Sequence, residues 1–218
     1  MSHSIRAMLD MSRFYTPLVS DTMERLGFES PALDATIQAI LPDPSRKVCG
    51  YAFPCRVTPT DEYVEITTLL EMVDAIPRDA FVIVAADEPI DAALWGGMMS
   101  ARARARGAVG AAVNGGVRDI EQIAALDFPV FGSGRCIQDI RRRGYMHSYN
   151  VTVDCGGKRI APGDVIFADA NGVIAIPADQ FDRVLVELLR AFDEESATQR
   201  GLVDGNQARD LFDRYGRF

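Results

Sequence analysis

The run AFVIVAADEPIDAALWGGMMSARARARGAVGAAVNGGVRDIEQIAALDFPVFGSG, residues 80–134, decides the fold. It opens on AFVIVAA, residues 80–86, seven consecutive apolar residues. Such a run suits a strand covered on both faces, as strands of parallel sheets are. Behind it the spacing predicts a helix over Ala93–Arg106 that Gly107 closes, then a short strand in AVGAAVNGG. A short helix in RDIEQIAAL and a strand in FPVFGSG follow. The βαβαβ order requires right-handed crossovers in a layered α/β domain.

Upstream, VCGYAFPCRVTP (48–59) reads as a strand, and residues 61–75 as a helix ended by Pro77. Asp21 and Glu24 stand at capping-box spacing for the first helix, and Gly27 supplies its left-handed stop. Downstream, YNVTVDCGGKRIAPGDVIFADANGVIAIP (149–177) carries two hairpin signals, Gly156-Gly157 and Asn171-Gly172, which make this half antiparallel and the sheet mixed. From Ala178 the apolar spacing is helical, with Gly201 dividing a long helix from a last short one in NQARDLFDRYG. No linker or repeat divides the chain. It reads as a single domain over residues 1–218, with an N-terminal helix and a C-terminal helical extension over about 178–218.

Asp plus Glu number 31 against 23 Lys plus Arg, a net charge of -8, the wrong sign for a nucleic-acid groove or an anionic membrane. A small molecule or a protein is the expected partner. Cys49, Cys55, Cys136 and Cys155 form no CxxC pair and have no histidines at zinc-ligand spacing, so they read as free thiols of a reducing compartment. MSHSIRAMLDMSRFYTP at the N-terminus carries charges throughout and no apolar core, and no later segment approaches a membrane span. The expected location is cytoplasmic.

The two histidines, His3 and His147, sit at no paired spacing, and GxSxG, HExxH and GxxxxGK[ST] are missing. Gly132-Ser133-Gly134 lacks the third glycine of a dinucleotide fingerprint and reads as a turn. What remains is Gly96-Gly97, opening a helix, and Arg118-Asp119, following a strand through Gly115-Gly116. Both lie at strand C-termini, where open α/β sheets bind ligands, and the backbone amides of Gly96, Gly97, Met98 and Met99 suit a carboxylate. By pattern alone the favoured reading of Arg118-Asp119 is a helix-capping pair, and that of Gly96-Gly97 a tight turn that lets strand and helix pack closely. Arg102, Arg104 and Arg106 read as solvated or intersubunit charges, Arg141 to Arg143 as surface charges, and Trp95, Met98 and Met99 as core or pocket wall. Asp164 and Asp169 read as turn formers.

Taken together, WGGMMSARARARG, NGGVRDIEQI, FPVFGSG, APGDVIFADANGV and EESATQRGLVDG resemble the family of 4-hydroxy-4-methyl-2-oxoglutarate aldolases and the regulator of RNase E activity A, over nearly the whole chain. The resemblance implies a swivelling-domain-like α/β/β fold and a class II pyruvate aldolase using Mg or Mn, with oxaloacetate decarboxylation through the same pyruvate enolate. It implies that Asp119 anchors the metal, that Arg118 faces the keto oxygen, and that amides of Gly96 to Met99 hold the carboxylate. A glutamate from another subunit, Glu195 with Glu194 the alternative, completes the site in a trimer or a pair of trimers. One departure stands out: aldolase-type members carry a carboxylate three positions after the aspartate, and here that residue is Gln122, with Glu121 shifted by one. An amide adds no negative charge, so weaker metal binding is expected. The rival expectation within the same family is a non-catalytic regulator that docks on an RNA-degrading enzyme. A quinone methyltransferase is disfavoured because no glycine-rich cofactor loop follows a first strand.

Overall fold

The computed structural model describes residues 13–29 and 31–217; His3 and most of the N-terminal segment read above lie outside them. In chain order the elements are α1 (Thr16–Arg25), β1 (Gln38–Ala39), β2 (Val48–Pro59), α2 (Thr67–Ala75), β3 (Ala80–Ala86), β4 (Ala93–Trp95), α3 (Gly97–Arg106) and β5 (Gly110–Val117). There follow α4 (Ile120–Leu126), β6 (Val130–Arg135), β7 (Gly144–Tyr149), β8 (Val153–Cys155), β9 (Lys158–Ile160), β10 (Val165–Asp169) and β11 (Gly172–Ile176). A 3-10 turn at Ala178–Gln180 leads into α5 (Phe181–Val203) and α6 (Ala208–Tyr215).

The expected mixed sheet forms, in the order β1-β6-β5-β3-β2-β10-β11, with β4 added to β5 and β7 to β2. Strands β2, β3, β5 and β6 run parallel, while β1, β7, β10 and β11 each pair antiparallel. Ala32 bridges Ile174 on β11, Leu33 N–H donates to Val173 C=O at 2.9 Å, and the same segment runs on into β1 against β6. The two sheet edges are thereby joined into a near-barrel.

Every residue of β3 is buried, as the unbroken apolar run requires. Val82, Val84 and Ala86 face Met72 and Val73 of α2, Ala103 of α3 and Ile123 of α4. Phe81, Ile83 and Ala85 face the other way, onto Leu33, Ile37 and the β8–β9 hairpin through Val153, Cys155 and Ile160. A third cluster packs Leu18 and Met23 of α1 and Val184 and Leu188 of α5 on Phe167 and Ile174. Among the described residues no helix is long and apolar enough to cross a membrane.

Several local expectations are corrected. The first helix begins at Thr16 with Pro17 in its first turn, so Asp21 and Glu24 lie inside it rather than at a cap. Its leading amide is satisfied from a distance, because Asp169 accepts from Thr16 N–H at 2.8 Å and from the Thr16 hydroxyl at 2.6 Å. Asp169 also accepts from Asn171 N–H, and Asp164 from the N–H groups of Ala161 and Ala178. Both shape turns as expected, and both also tie separate elements together. The helix expected over 61–75 starts only at Thr67, and Gly132-Ser133-Gly134 belongs to β6 instead of forming a turn. Gly201 lies within α5; a Cβ there would stand 2.6 Å from Leu211 Cδ2, so this glycine permits close packing of α6.

Candidate active site

At Ala93 the expected helix is replaced by a strand. β4 pairs with β5 through Ala93↔Gly116 and Trp95↔Val117, and α3 starts only after it. Room for β4 comes from a fork in the sheet: β3 and β5 pair as far as Val84↔Val113 and then separate. Asn114 bridges the fork with its side chain, accepting from Ala86 N–H at 2.7 Å and donating to Ala86 C=O at 3.0 Å, which mimics a strand backbone. Beyond the fork β4 takes the place of β3 beside β5. The C-termini of β4 and β5 therefore lie side by side, each running into a helix.

The turn from β4 into α3 is held from beneath. Trp95 is buried and stacks on Phe128, and its indole N–H donates to Ser100 Oγ at 2.8 Å. Ser100 Oγ in turn donates to Gly96 C=O at 3.0 Å. The amides of Gly97, Met98 and Met99 precede the first intrahelical bond, Ser100 N–H to Gly96 C=O, and carry the positive end of the α3 dipole. Gly97 N–H is already given to Asp119 Oδ2 at 3.1 Å, so Met98 and Met99 supply the free amides.

Arg118 and Asp119 meet this turn from β5. Arg118 N–H donates to Trp95 C=O at 3.1 Å, fixing the two strand ends to each other. Asp119 is the N-cap of α4 by position, yet its backbone is left-handed at φ 60°, ψ 42°, and its carboxylate makes no bond to its own helix. A non-glycine residue held there costs on the order of 1 kcal/mol. The strain turns the carboxylate toward α3, with Oδ2 3.7 Å from Arg118 Nε. A helix-capping role for the pair is thereby set aside. Both side chains are about one-third exposed, into a cleft of about 340 Å³ that Gly96, Met98 and Met99 also line.

One residue of the cleft, Asp139, escaped the sequence reading, and another, Arg141, is expected from sequence only as a surface charge. Asp139, in the turn after β6, accepts from Arg118 Nη1 at 3.1 Å and from Arg141 N–H at 2.8 Å and Nε at 3.0 Å. The Arg141 side chain, before its own backbone amide and Arg118, holds the Asp139 carboxyl at about 2, against a desolvation that pulls upward. Arg141 is exposed, as expected, and also lines the cleft while paired to Asp139, and Arg102 lines it while paired to Asp74 at 2.6 Å. The opposite wall is apolar: Ile66, Leu69, Leu70 and Val73, along α2 and the residue before it.

Glu195 and Glu194 are not in this cleft within one chain. Both sit on α5, where Tyr15 hydroxyl donates to Glu195 and Arg217 Nε donates to Glu194 at 2.9 Å. Burial pushes the Glu195 carboxyl up, and the nearby Arg217 pulls it back. Gln122 stacks over the α3 start, so closely that a Cβ on Gly97 would lie 2.2 Å from its Oε1. Among the described residues no group of three or more His, Cys, Asp or Glu side chains is placed to hold a metal ion. A magnesium-type cation is commonly held by one or two carboxylates, with water and substrate oxygens filling its shell. The single carboxylate of Asp119 fits that mode and does not fit a structural zinc site.

The model of the RraA-like family, described as Aldolase/RraA, matches residues 16–175. The chain belongs to the RraA-like family. A relative named putative 4-hydroxy-4-methyl-2-oxoglutarate aldolase, from Halalkalibacterium halodurans, is 32% identical over 193 residues, covering 88% of this chain and 87% of that protein. Protein DlpA of Legionella pneumophila is 27% identical over 196 residues, 88% of this chain, but the match spans only 31% of DlpA. Streptomyces coelicolor RraAS2, described as an unusual member of the RNase ES inhibitor RraA protein family, shares the fold at a TM-score of 0.78 and 20% identity, covering 92% of this chain and 98% of that one.

Proposed function

We propose that this RraA-like chain is a divalent-metal-dependent carbon–carbon lyase that cleaves 4-hydroxy-2-oxo acids, such as 4-hydroxy-4-methyl-2-oxoglutarate, to pyruvate. The observation that carries the reading is the junction of the α3 amide cradle with a guanidinium and a strained carboxylate in one cleft. The aldolase name of the 32%-identical relative points the same way.

Asp119 would hold the cation, Mg or Mn, with Glu195 of a second copy completing its shell in a trimer or hexamer. When bound, such a cation supplies Lewis-acid stabilisation of negative charge on a keto oxygen. The amides of Met98 and Met99 bind the substrate carboxylate at the helix start. The Arg118 guanidinium donates to the keto oxygen and strengthens that bond as charge develops. As the bond between C3 and C4 breaks, its electron pair passes into the enolate of pyruvate, and the C4 hydroxyl gives up its proton to a water molecule to become a carbonyl. Protonation at C3 then yields pyruvate. Loss of CO2 from oxaloacetate reaches the same enolate, so the same residues would serve a decarboxylase activity.

The second reading, a regulator that inhibits an RNA-degrading enzyme, draws on the name of the Streptomyces fold relative. Favouring the lyase over it is the convergence of the α3 start, Arg118 and Asp119 on one cleft. A coupled pyruvate assay on purified protein, with oxaloacetate and 4-hydroxy-2-oxo acids, with and without EDTA and Mg, separates the two. Metal-dependent pyruvate release is expected; none with any of these substrates would defeat the lyase.

A further inference from the structure

Arg118 is gripped on two sides. Its Nε faces Asp119 Oδ2 at 3.7 Å, and its Nη1 donates to Asp139 Oδ2 at 3.1 Å. Nη2 makes no hydrogen bond among the described residues. A guanidinium is planar, so two contacts on different nitrogens fix its plane as well as its position. One contact alone would leave it free to swing about its long side chain.

Asp139 is itself immobilised. Its Oδ1 takes both Arg141 N–H and Arg141 Nε, closing a local turn. The preceding residue is anchored to β4, because Ala93 N–H donates to Gln138 C=O at 2.9 Å. Asp139 is therefore tied to the same strand that ends in the amide cradle. With a carboxyl held at about 2 by its two arginines, it is too weak a base to take a proton near neutrality. Geometry, not proton transfer, is what it can contribute.

We infer that Asp139 is a positioning residue of this site: braced by Arg141 and by the Gln138 tether, it sets the plane of the Arg118 guanidinium so that Nη2 is the donor left for the substrate oxyanion. The inference rests on the lyase reading for its kinetic consequence and on the contacts alone for its geometric one. Loss of the brace lowers turnover while leaving the carboxylate cradle, and so KM, largely in place.

The test is a double-mutant cycle on the intact protein, with Arg118→Ala, Asp139→Ala and both together, assayed by pyruvate release from oxaloacetate with Mg. Asp139→Ala is expected to lower kcat about tenfold or more, as misplacement of a catalytic group does. In the Arg118→Ala background the same change should cost less than about twofold, since the group it positions is gone. Equal losses in both backgrounds, or an unchanged kcat for Asp139→Ala, overturn the inference. Asp139→Asn, which keeps an acceptor oxygen and the side-chain shape, supplies the measurement if the alanine variant fails to fold. A second readout needs no turnover: the Arg118 Nε–H resonance in 15N NMR should shift and broaden in the Asp139 variant but not in Asp74→Ala, which frees only Arg102. If the wild-type protein releases no pyruvate, the lyase reading fails, and the NMR arm still decides the brace; an unmoved Arg118 resonance refutes it.

Discussion

Gly96 can carry a side chain without backbone strain, since its φ of −164° and ψ of −173° are ordinary extended values. The obstacle is what the side chain would meet. A Cβ on Gly96 would stand 2.9 Å from Asp119 Oδ2 and 3.1 Å from Arg118 Cγ, against 3.4 Å for the near limit of ordinary contact. Gly96→Ala must therefore displace the Asp119 carboxylate by about 0.5 Å (3.4 less 2.9), and Arg118 by a little less. Because a displacement of about 1 Å at a reacting group costs roughly a hundredfold, half of it should cost roughly tenfold in kcat/KM, about 1.4 kcal/mol of transition-state binding. Stability should fall by less than about 1 kcal/mol, since both side chains are part-exposed and able to give way. The assay is pyruvate release paired with thermal unfolding of the same preparation. Unchanged kcat/KM in a folded Gly96→Ala protein would show that neither Arg118 nor Asp119 is needed where it stands. A large loss of stability with catalysis intact would assign the glycine to packing.

Arg118→Ala should lower kcat by about a hundredfold or more, the usual effect of removing a preorganised oxyanion donor worth roughly 3 kcal/mol; steady-state kinetics at saturating oxaloacetate reads it directly. Asp119→Ala should abolish the Mg binding seen by calorimetry with circular dichroism unchanged, and undiminished affinity would remove Asp119 as the ligand. Asp169→Ala frees the buried Thr16 amide and hydroxyl and should lower urea-unfolding stability by about 3 kcal/mol, whereas a change under about 1 kcal/mol would mean that the tie is dispensable. Asp139 has a folded-state carboxyl value lowered from 3.8 to about 2, so its contribution is present above about 3.8 and lost as pH falls through about 2. Asp139→Asn should accordingly melt below the wild type at neutral pH, with the gap closing as acid is added; a gap that is constant with pH would contradict the ion pairing.

The parts of the fold legible in sequence are those in which one residue run answers to one environment. The seven apolar residues of β3 are buried on both faces, and no alternating or helical pattern competes with that reading. Gly107 stops α3 at φ 88°, where only glycine is unstrained. β4 was hidden because Ala93-Leu94-Trp95 abuts a helix and continues its apolar spacing; what makes it a strand is an edge of β5 that Asn114 frees farther along the chain. The start of α1 was misplaced for a related reason, since its capping carboxylate, Asp169, lies 153 residues away. In the site, Arg118-Asp119 stands out locally through its glycine-rich approach at a strand end, yet that pattern favours a capping pair, and only the family resemblance gives the two residues a role. Asp139 and Arg141 carried no such signal. Their chemistry exists only once the turn after β6 is laid beside the end of β5, and Arg141 in isolation looks like any solvated charge.

The Asn114 fork bears on how the cleft withstands thermal motion. Past the fork, β4, β5 and the helices they launch are bonded to one another, with Arg118 N–H on Trp95 C=O and Gly97 N–H on Asp119 Oδ2, and the Asn114 carboxamide hydrogen-bonds them to β3 there. Because those bonds join the start of α3 directly to Arg118 and Asp119, a displacement at the seam would move the three together before it altered the spacings between them.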